Sequence, residues 1–405
     1  PEQVEAKVKE LEEQAGKDNP HCRAMVTSFY NNNVYYLIIY KVYTDVRFVA
    51  APPAALGKFG GETDNWMWPR HTCDFSMFRV YAGENNEPAE YDPANRPLKP
   101  ARSLKVSLKG VREGDFAFVM GYPGRTQRFQ TAAQLRQMMA QHRISIDART
   151  VRQRVMWEEM EKDPAVRLQY ANKYAGSANG WKKWQGEELA FENLDIIGRE
   201  EAKEAAYEEW IAAKPRRVKA YGGAIADIEA GTKELEGPME TYLLLSETLA
   251  NIEVLSVARR PGDKDYNAVV DRKIAKAMIG HYLANVKPGE AIEVSDSEEY
   301  LDKLYGEDPA EREALFERMR DKIMSVLPAV REANGKISAA SQRFTAGLLE
   351  WEKGKAGYPD ANFTMRLTYG SVLPYSPKDG MSYWYYTTTD GLLQKENPDD
   401  YEFRL

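Results

Sequence analysis

Between Asn33 and Met120, apolar and polar positions alternate over short runs rich in β-branched and aromatic residues. The runs at 34–40, 42–49, 76–81, 104–108 and 115–120 are strand-sized and separated by Gly, Pro or Asn, which predicts β structure closing as a barrel or sandwich. After Gly121-Tyr122-Pro123-Gly124 the period lengthens, and Leu135, Met138, Met139, His142 and Ile146 fall on one helical face. Similar stripes recur at Tyr242, Leu245, Leu249 and Ile252, at Phe316, Met319, Ile323, Leu327 and Val330, and at Ile337, Phe344, Leu348 and Trp351. At this spacing, Met and aromatic stripes read as the packing faces of helices rather than a cofactor groove. Strand signals return at 363–369 and 382–389, among Gly370, Pro374, Pro377 and Gly380. The order β, α, β predicts an α+β protein with a helical domain, 127–357, inserted into a β portion formed by 1–126 and 358–405. No repeat with a period of roughly 20–50 residues is visible, which argues against a solenoid.

The ends carry their own pattern. Val4, Val8, Leu11 and Ala15 mark a helical face directly after Pro1, with no initiator Met, basic segment or apolar signal core before it. The chain is expected to begin inside a longer protein. Residues 399–405 follow a strand-like run without a closing signal, so the C-terminus is expected to be internal too.

Composition narrows the function. The chain has 405 residues, 43% of them hydrophobic, enough apolar material for more than one core. A net charge of −7 disfavours a phosphate-backbone partner, because such affinity comes mainly from clustered Lys and Arg. The strongest apolar run, 34–40, is far too short to span a bilayer as a helix. Two cysteines, Cys22 and Cys73, provide neither a disulfide scaffold nor the spacing of a structural zinc site.

The densest chemistry lies between Gly57 and Ser76, where Trp66 and Trp68 stand among Asn65, Arg70, His71 and Asp74 after the pair Gly60-Gly61. The glycines lack phosphate-loop spacing. His71 and Asp74 precede a strand instead of sharing a helix face, and neither Cys73 nor Glu62 completes a metal-ligand set. Taken alone, Asp74 reads as a turn or capping residue.

The run Asp64-Asn65-Trp66-Met67-Trp68-Pro69-Arg70-His71-Thr72-Cys73-Asp74-Phe75 resembles the signature of the S46 family, the bacterial serine dipeptidyl-peptidases of types 7 and 11. Three further blocks agree in order: 45–53 (DVRFVAAPP), 121–126 (GYPGRT) and 358–362 (YPDAN). Cys73 departs from the pattern, standing where the family more often has Gly. The resemblance implies a chymotrypsin-like double β-barrel with a large inserted α-helical domain, and a triad in the chain order His, Asp, Ser. Asp74 resembles the triad aspartate, whose carboxylate orients the histidine and stabilises its imidazolium. The family histidine is expected upstream of Pro1, and the serine in a Gly-Asn-Ser-Gly-like motif downstream of Leu405. His21, His71, His142 and His281 lack a matching context, and Ser371 and Ser376 lack the Gly-x-Ser-Gly surroundings. The chain alone is therefore expected to be inactive.

Asn65 and Trp66 resemble the residues that hold the substrate's free α-amino group, a task suited to an amide oxygen and an indole face. Family members add a carboxylate from beyond the present C-terminus, and Trp68 is divided between this site and barrel core. The resemblance further implies no cofactor or metal, peptide partners with a free N-terminus, no nucleic acid or membrane partner, and a homodimer of the full-length protein. It also implies a periplasmic or secreted location in a Gram-negative bacterium. Two alternatives stand beside it: a non-catalytic helical binding or scaffolding module, or truncated paralogue, and a metal-dependent hydrolase recognisable by chelator sensitivity.

Overall fold

The computed structural model describes residues 2–18, 21–257, 262–355 and 357–405. Its first element is a helix, α1 (Glu2–Asp18), on whose apolar stripe Ala15 is buried and Val8 half-buried, while Val4 and Leu11 stay exposed. The Glu12 carboxylate accepts the Val26 N–H at 2.8 Å and so ties this helix to a hairpin. That hairpin pairs β1 (Cys22–Phe29) with β2 (Val34–Lys41) in antiparallel register, from Cys22↔Lys41 to Phe29↔Val34. A three-stranded sheet follows, ordered β3 (Val46–Ala50), β4 (Met77–Ala82) and β5 (Arg96–Pro97). The short helix α2 (Ala54–Gly57) lies between β3 and β4 in the chain. Buried Asp45 holds the start of β3: Arg47 donates to both its oxygens at 2.9 and 2.8 Å, and Asn95 adds a third bond. The guanidinium beside it lowers the Asp45 carboxyl to about 2. Strand β6 (Phe116–Gly121) closes this part of the chain.

Helices then take over. They are α3 (Ala132–Lys162), α4 (Pro164–Asn193), α5 (Ile196–Ala212), α6 (Pro215–Tyr221), α7 (Ala224–Glu247), α8 (Val254–Val257), α9 (Ala268–Asn285), α10 (Glu298–Tyr305) and α11 (Ala310–Trp351). Their starts are chemically marked. Thr131 and Gln134 form a capping box at α3, and Asp163 caps α4 ahead of Pro164 at its first position. The apolar stripes meet in separate cores: Leu245, Leu249 and Ile252 pack with Ile279, Tyr282 and Leu315, while Phe344 and Leu348 pack with Tyr207 and Ile228. Both C-terminal stripes belong to one helix, α11, which continues through Pro328 although a proline there removes a backbone donor. Asp271 is fully buried in α9, accepting the N–H groups of Glu253 and Val254 and the Tyr305 hydroxyl at 2.7–2.8 Å. Burial pushes its carboxyl up to about 6 against the pull of those bonds.

The chain then rejoins the β part. Strand β7 (Arg366–Ser371) pairs antiparallel with β6, from Phe116↔Ser371 to Gly121↔Arg366, and β8 (Tyr375–Lys378), β9 (Met381–Tyr383) and α12 (Thr389–Lys395) follow. Where the chain leaves and returns, Asp360 accepts the Thr126 hydroxyl at 2.7 Å and the Arg128 N–H at 2.8 Å, while Thr126 accepts the Ala361 N–H. The molecule thus divides into a β-containing unit, residues up to Arg128 with Tyr358–Leu405, and a helical unit, Phe129–Gly357.

Several local expectations are corrected. The run 104–108 is not a strand: Leu104, Val106 and Leu108 are 83, 90 and 97% exposed. Its alternation suits a pleated surface, but a strand requires a hydrogen-bonded neighbour, and none of the described residues supplies one. The run 42–49 becomes a strand only at Val46, and that at 382–389 holds two strand residues, Ser382 and Tyr383 at the end of β9, before α12 begins at Thr389. The last residues accordingly follow a helix and not a strand.

Candidate functional site

From Lys58 to Trp66 the chain folds as a series of tight turns before running irregularly to Asp74, and two glycines make its path possible. Gly60 and Gly61 have φ of +82° and +40°. A Cβ on Gly60 would strike the Asp64 side chain, and one on Gly61 would strike the Glu402 carboxylate. Asp64 N–H donates to Gly60 O at 2.7 Å, and Met67 N–H donates to Asp64 O at 3.0 Å. These bonds place Asn65 and Trp66 at the tip. Trp66 has φ of +59°, a conformation that costs a bulky residue on the order of 1–3 kcal/mol and persists only where its surroundings enforce it. Its side chain is exposed, whereas Asn65 is half-buried and donates from Nδ2 to Glu62 Oε2 at 3.2 Å. The tip therefore groups an amide, a carboxylate and an indole.

Its enforcement comes from the other end of the chain. The Glu402 carboxylate accepts the N–H groups of Glu62 and Thr63 at 2.9 and 3.1 Å, and its backbone oxygen accepts Gly60 N–H at 2.7 Å. The Lys395 ammonium bridges buried Asp64, at 2.7 Å, and the Pro69 carbonyl, at 2.9 Å. Phe59, 2% exposed, meets Phe403 edge to face, and Thr387 donates to the Arg70 carbonyl. Trp68 is half-buried and joined to Pro69 by a cis peptide bond.

His71 sits against Gly391, where any Cβ would collide with its ring. Burial, reinforced by the Lys395 charge, lowers its imidazole below the usual range. Asp74 is exposed at the approach to β4, and none of the described residues hydrogen-bonds to its carboxylate. The structure thus brings Asn65 and Trp66 together and leaves Asp74 without a histidine partner among the described residues. No group of three potential metal-ligating His, Cys, Asp or Glu occurs among them, and no helix of the described residues is long and apolar enough to cross a membrane.

The sequence profile of Peptidase S46 matches residues 1–273 and 261–405. The chain belongs to the S46 peptidase family. Among curated S46 relatives, dipeptidyl-peptidase 7 of Phocaeicola vulgatus is 38% identical, covering 94% of this chain and 61% of its own length. An Asp/Glu-specific dipeptidyl-peptidase of Porphyromonas gingivalis is 33% identical, covering 97% of this chain and 63% of its own. The chain thus spans less than two thirds of these relatives. Among solved structures, DPP11 of Porphyromonas endodontalis superposes with a TM-score of 0.87 at 30% identity, over 98% of this chain and 66% of that one. The same enzyme with the dipeptide Arg-Glu gives 0.84 at 31%. Membership in this family of serine dipeptidyl-peptidases is therefore shown, and so is a mixed α+β fold, mostly helical with small sheets.

Glu62, Lys395 and Glu402 were missed in the sequence. Glu62 stood within the motif-rich stretch, and its spacing of three from Asn65 in a glycine-bent turn was a usable signal. Lys395 and Glu402 are more than 300 residues from their partners and carried none.

Proposed function

We propose that these residues form the aspartate-bearing part of a serine dipeptidyl-peptidase that releases dipeptides from free peptide N-termini. Family membership supports the chemistry, and the observation that carries the substrate reading is the tip at 62–67. An ammonium is held by oxygen acceptors, negative charge and a π face, and Asn65, Glu62 and Trp66 offer these within one turn. Anchoring the α-amino group fixes how many residues separate it from the cleaved bond, so a dipeptide is the product. Asp74 takes the role of the triad carboxylate, holding a histidine in the tautomer that accepts the serine proton and stabilising the imidazolium that results. That histidine and serine come from parts of the protein outside these 405 residues. The helical unit acts as the inserted cap of a double β-barrel. The exposed strand residues Phe48, Phe78, Phe116 and Val119 support this reading, since such faces require cover in a complete barrel.

The test is hydrolysis of dipeptidyl substrates by the full-length gene product and by this chain alone. The full-length protein is expected to cleave free-amine peptides without added metal, to resist chelators and to leave N-acetylated peptides nearly untouched; the 405-residue chain is expected to be inactive. Asp74→Asn should lower kcat by about four orders of magnitude through the wrong histidine tautomer. Asn65→Ala should lower kcat/KM on free-amine peptides by about ten- to a hundredfold. Equal cleavage of blocked and free peptides would refute the amine anchor, and no turnover by the full-length protein would favour a binding module.

A further inference from the structure

The tip bearing Asn65 and Trp66 is held by two side chains that the proposed chemistry does not use. Glu402 places one carboxylate oxygen on each of two successive backbone N–H groups, Glu62 at 2.9 Å and Thr63 at 3.1 Å, immediately before the tip. Glycine at 61 admits that carboxylate. Lys395 closes the other side, neutralising buried Asp64 at 2.7 Å and holding the Pro69 carbonyl at 2.9 Å, immediately after it. Between these fixed points lies Trp66 at φ +59°, a conformation the turn would leave if either side were released. Charge-assisted bonds to backbone groups are well suited to this task, being short and directional.

We infer that Glu402 and Lys395 are positioning residues that hold the strained 62–67 turn in the shape that receives the substrate's α-amino group. They act through Asn65, Glu62 and Trp66 and touch no reacting atom. Selectivity for a free N-terminus is thus set jointly by the loop and by a segment following the second strand region. The inference rests on the amine-anchor reading of this tip.

The test uses the full-length gene product with Glu402→Ala, Glu402→Gln, Lys395→Met, Lys395→Arg and, alongside, Asn65→Ala. Three quantities are measured: KM and kcat on a free-amine dipeptidyl substrate, the rate of serine sulfonylation by phenylmethanesulfonyl fluoride, and the melting temperature. Sulfonylation needs the triad but no amine anchor. Glu402→Ala and Lys395→Met are expected to raise KM about tenfold or more with kcat within about threefold of wild type, as lost charge-assisted bonds imply. Sulfonylation should remain near the wild-type rate. Glu402→Gln, retaining one acceptor oxygen, should fall between wild type and Glu402→Ala, and Lys395→Arg should recover most of the loss; these milder changes also carry the test if a truncation fails to fold. A raised KM in Asn65→Ala with unchanged KM in folded Glu402 and Lys395 variants would overturn the positioning role alone. Unchanged KM in Asn65→Ala would overturn the anchor reading and this inference with it. Sulfonylation falling in step with kcat/KM would show general disruption and also overturn it.

Discussion

The helical unit and the β-containing unit bury apolar residues very differently. In the helical unit the stripes meet one another, and large side chains such as Tyr207, Ile228, Phe344 and Tyr282 are 0–1% exposed. In the β-containing unit, Ala15, Phe59 and Ala82 are the buried hydrophobics among the described residues, while Phe78, Phe118, Val119 and Tyr369 on the strands lie open. Polar ties hold that unit: Asp45 with Arg47 and Asn95, Asp360 with Thr126 and Arg128, Glu402 with Glu62 and Thr63. Packed helices can bury their stripes against one another, whereas an isolated two-stranded sheet is marginally stable in water. The difference teaches that one unit contains its own core and the other is organised around turns and ion pairs.

The strongest way to break this comparison is to separate the units. Residues 129–357 expressed alone should melt as one cooperative helical transition by circular dichroism. Residues 1–128 joined by a short linker to 358–405 should bind a hydrophobic dye and show no sharp transition. A cooperative melt of the second product would end the distinction.

Core truncation sharpens it. Phe344→Ala should cost about 3–5 kcal/mol by urea denaturation, because the ring is buried against Tyr207. Gly347→Ala should be damaging as well, since its Cβ would collide with the Tyr207 hydroxyl.

Two of the buried aspartates, Asp271 and Asp45, predict opposite responses to acid. The Asp271 carboxyl is raised to about 6 by burial, so the folded state loses stability as the pH rises from about 4, where the unfolded carboxyl ionises, to about 6, and carries the full penalty above that. Lowering the pH from 7 to 4 removes this penalty, contributing on the order of 3 kcal/mol of stabilisation to the helical unit. Asp45 is lowered to about 2, so its contribution is present above about pH 4 and is lost as the pH falls towards 2. Urea melts of the whole chain across this range, read by helical and near-ultraviolet signals, should show the first trend flattened in Asp271→Asn and the second in Asp45→Asn. A helical unit less stable at pH 5 than at pH 7, with no dependence on Asp271, would contradict the assignment.

The smallest effect is expected on the open strand faces. Val119→Ala, at a side chain 70% exposed, should change stability by about 0.5 kcal/mol or less. A loss comparable to that of Phe344→Ala would show that this face is already covered in the chain as it stands.

The residues alone determined the periodic elements and the family. Stripes at helical spacing found α3 and α11 because side chains on one helical face are near neighbours in sequence, whereas the stripe at Tyr242, Leu245, Leu249 and Ile252 runs past the end of α7 at Glu247 into a 3-10 turn. The block from Asp64 to Phe75 carried the family likeness because its residues are contiguous. Strands were less legible. The hairpin partner at 22–29 went unread and the alternating run at 104–108 was misread, since a strand exists only through a neighbour that local pattern does not name. Only the tertiary structure decided what surrounds the tip at Asn65 and Trp66. Glu402 and Lys395 reach it across more than 300 residues, and their bonds arise from the path of the backbone, which brings chemically ordinary residues together without leaving a local signature.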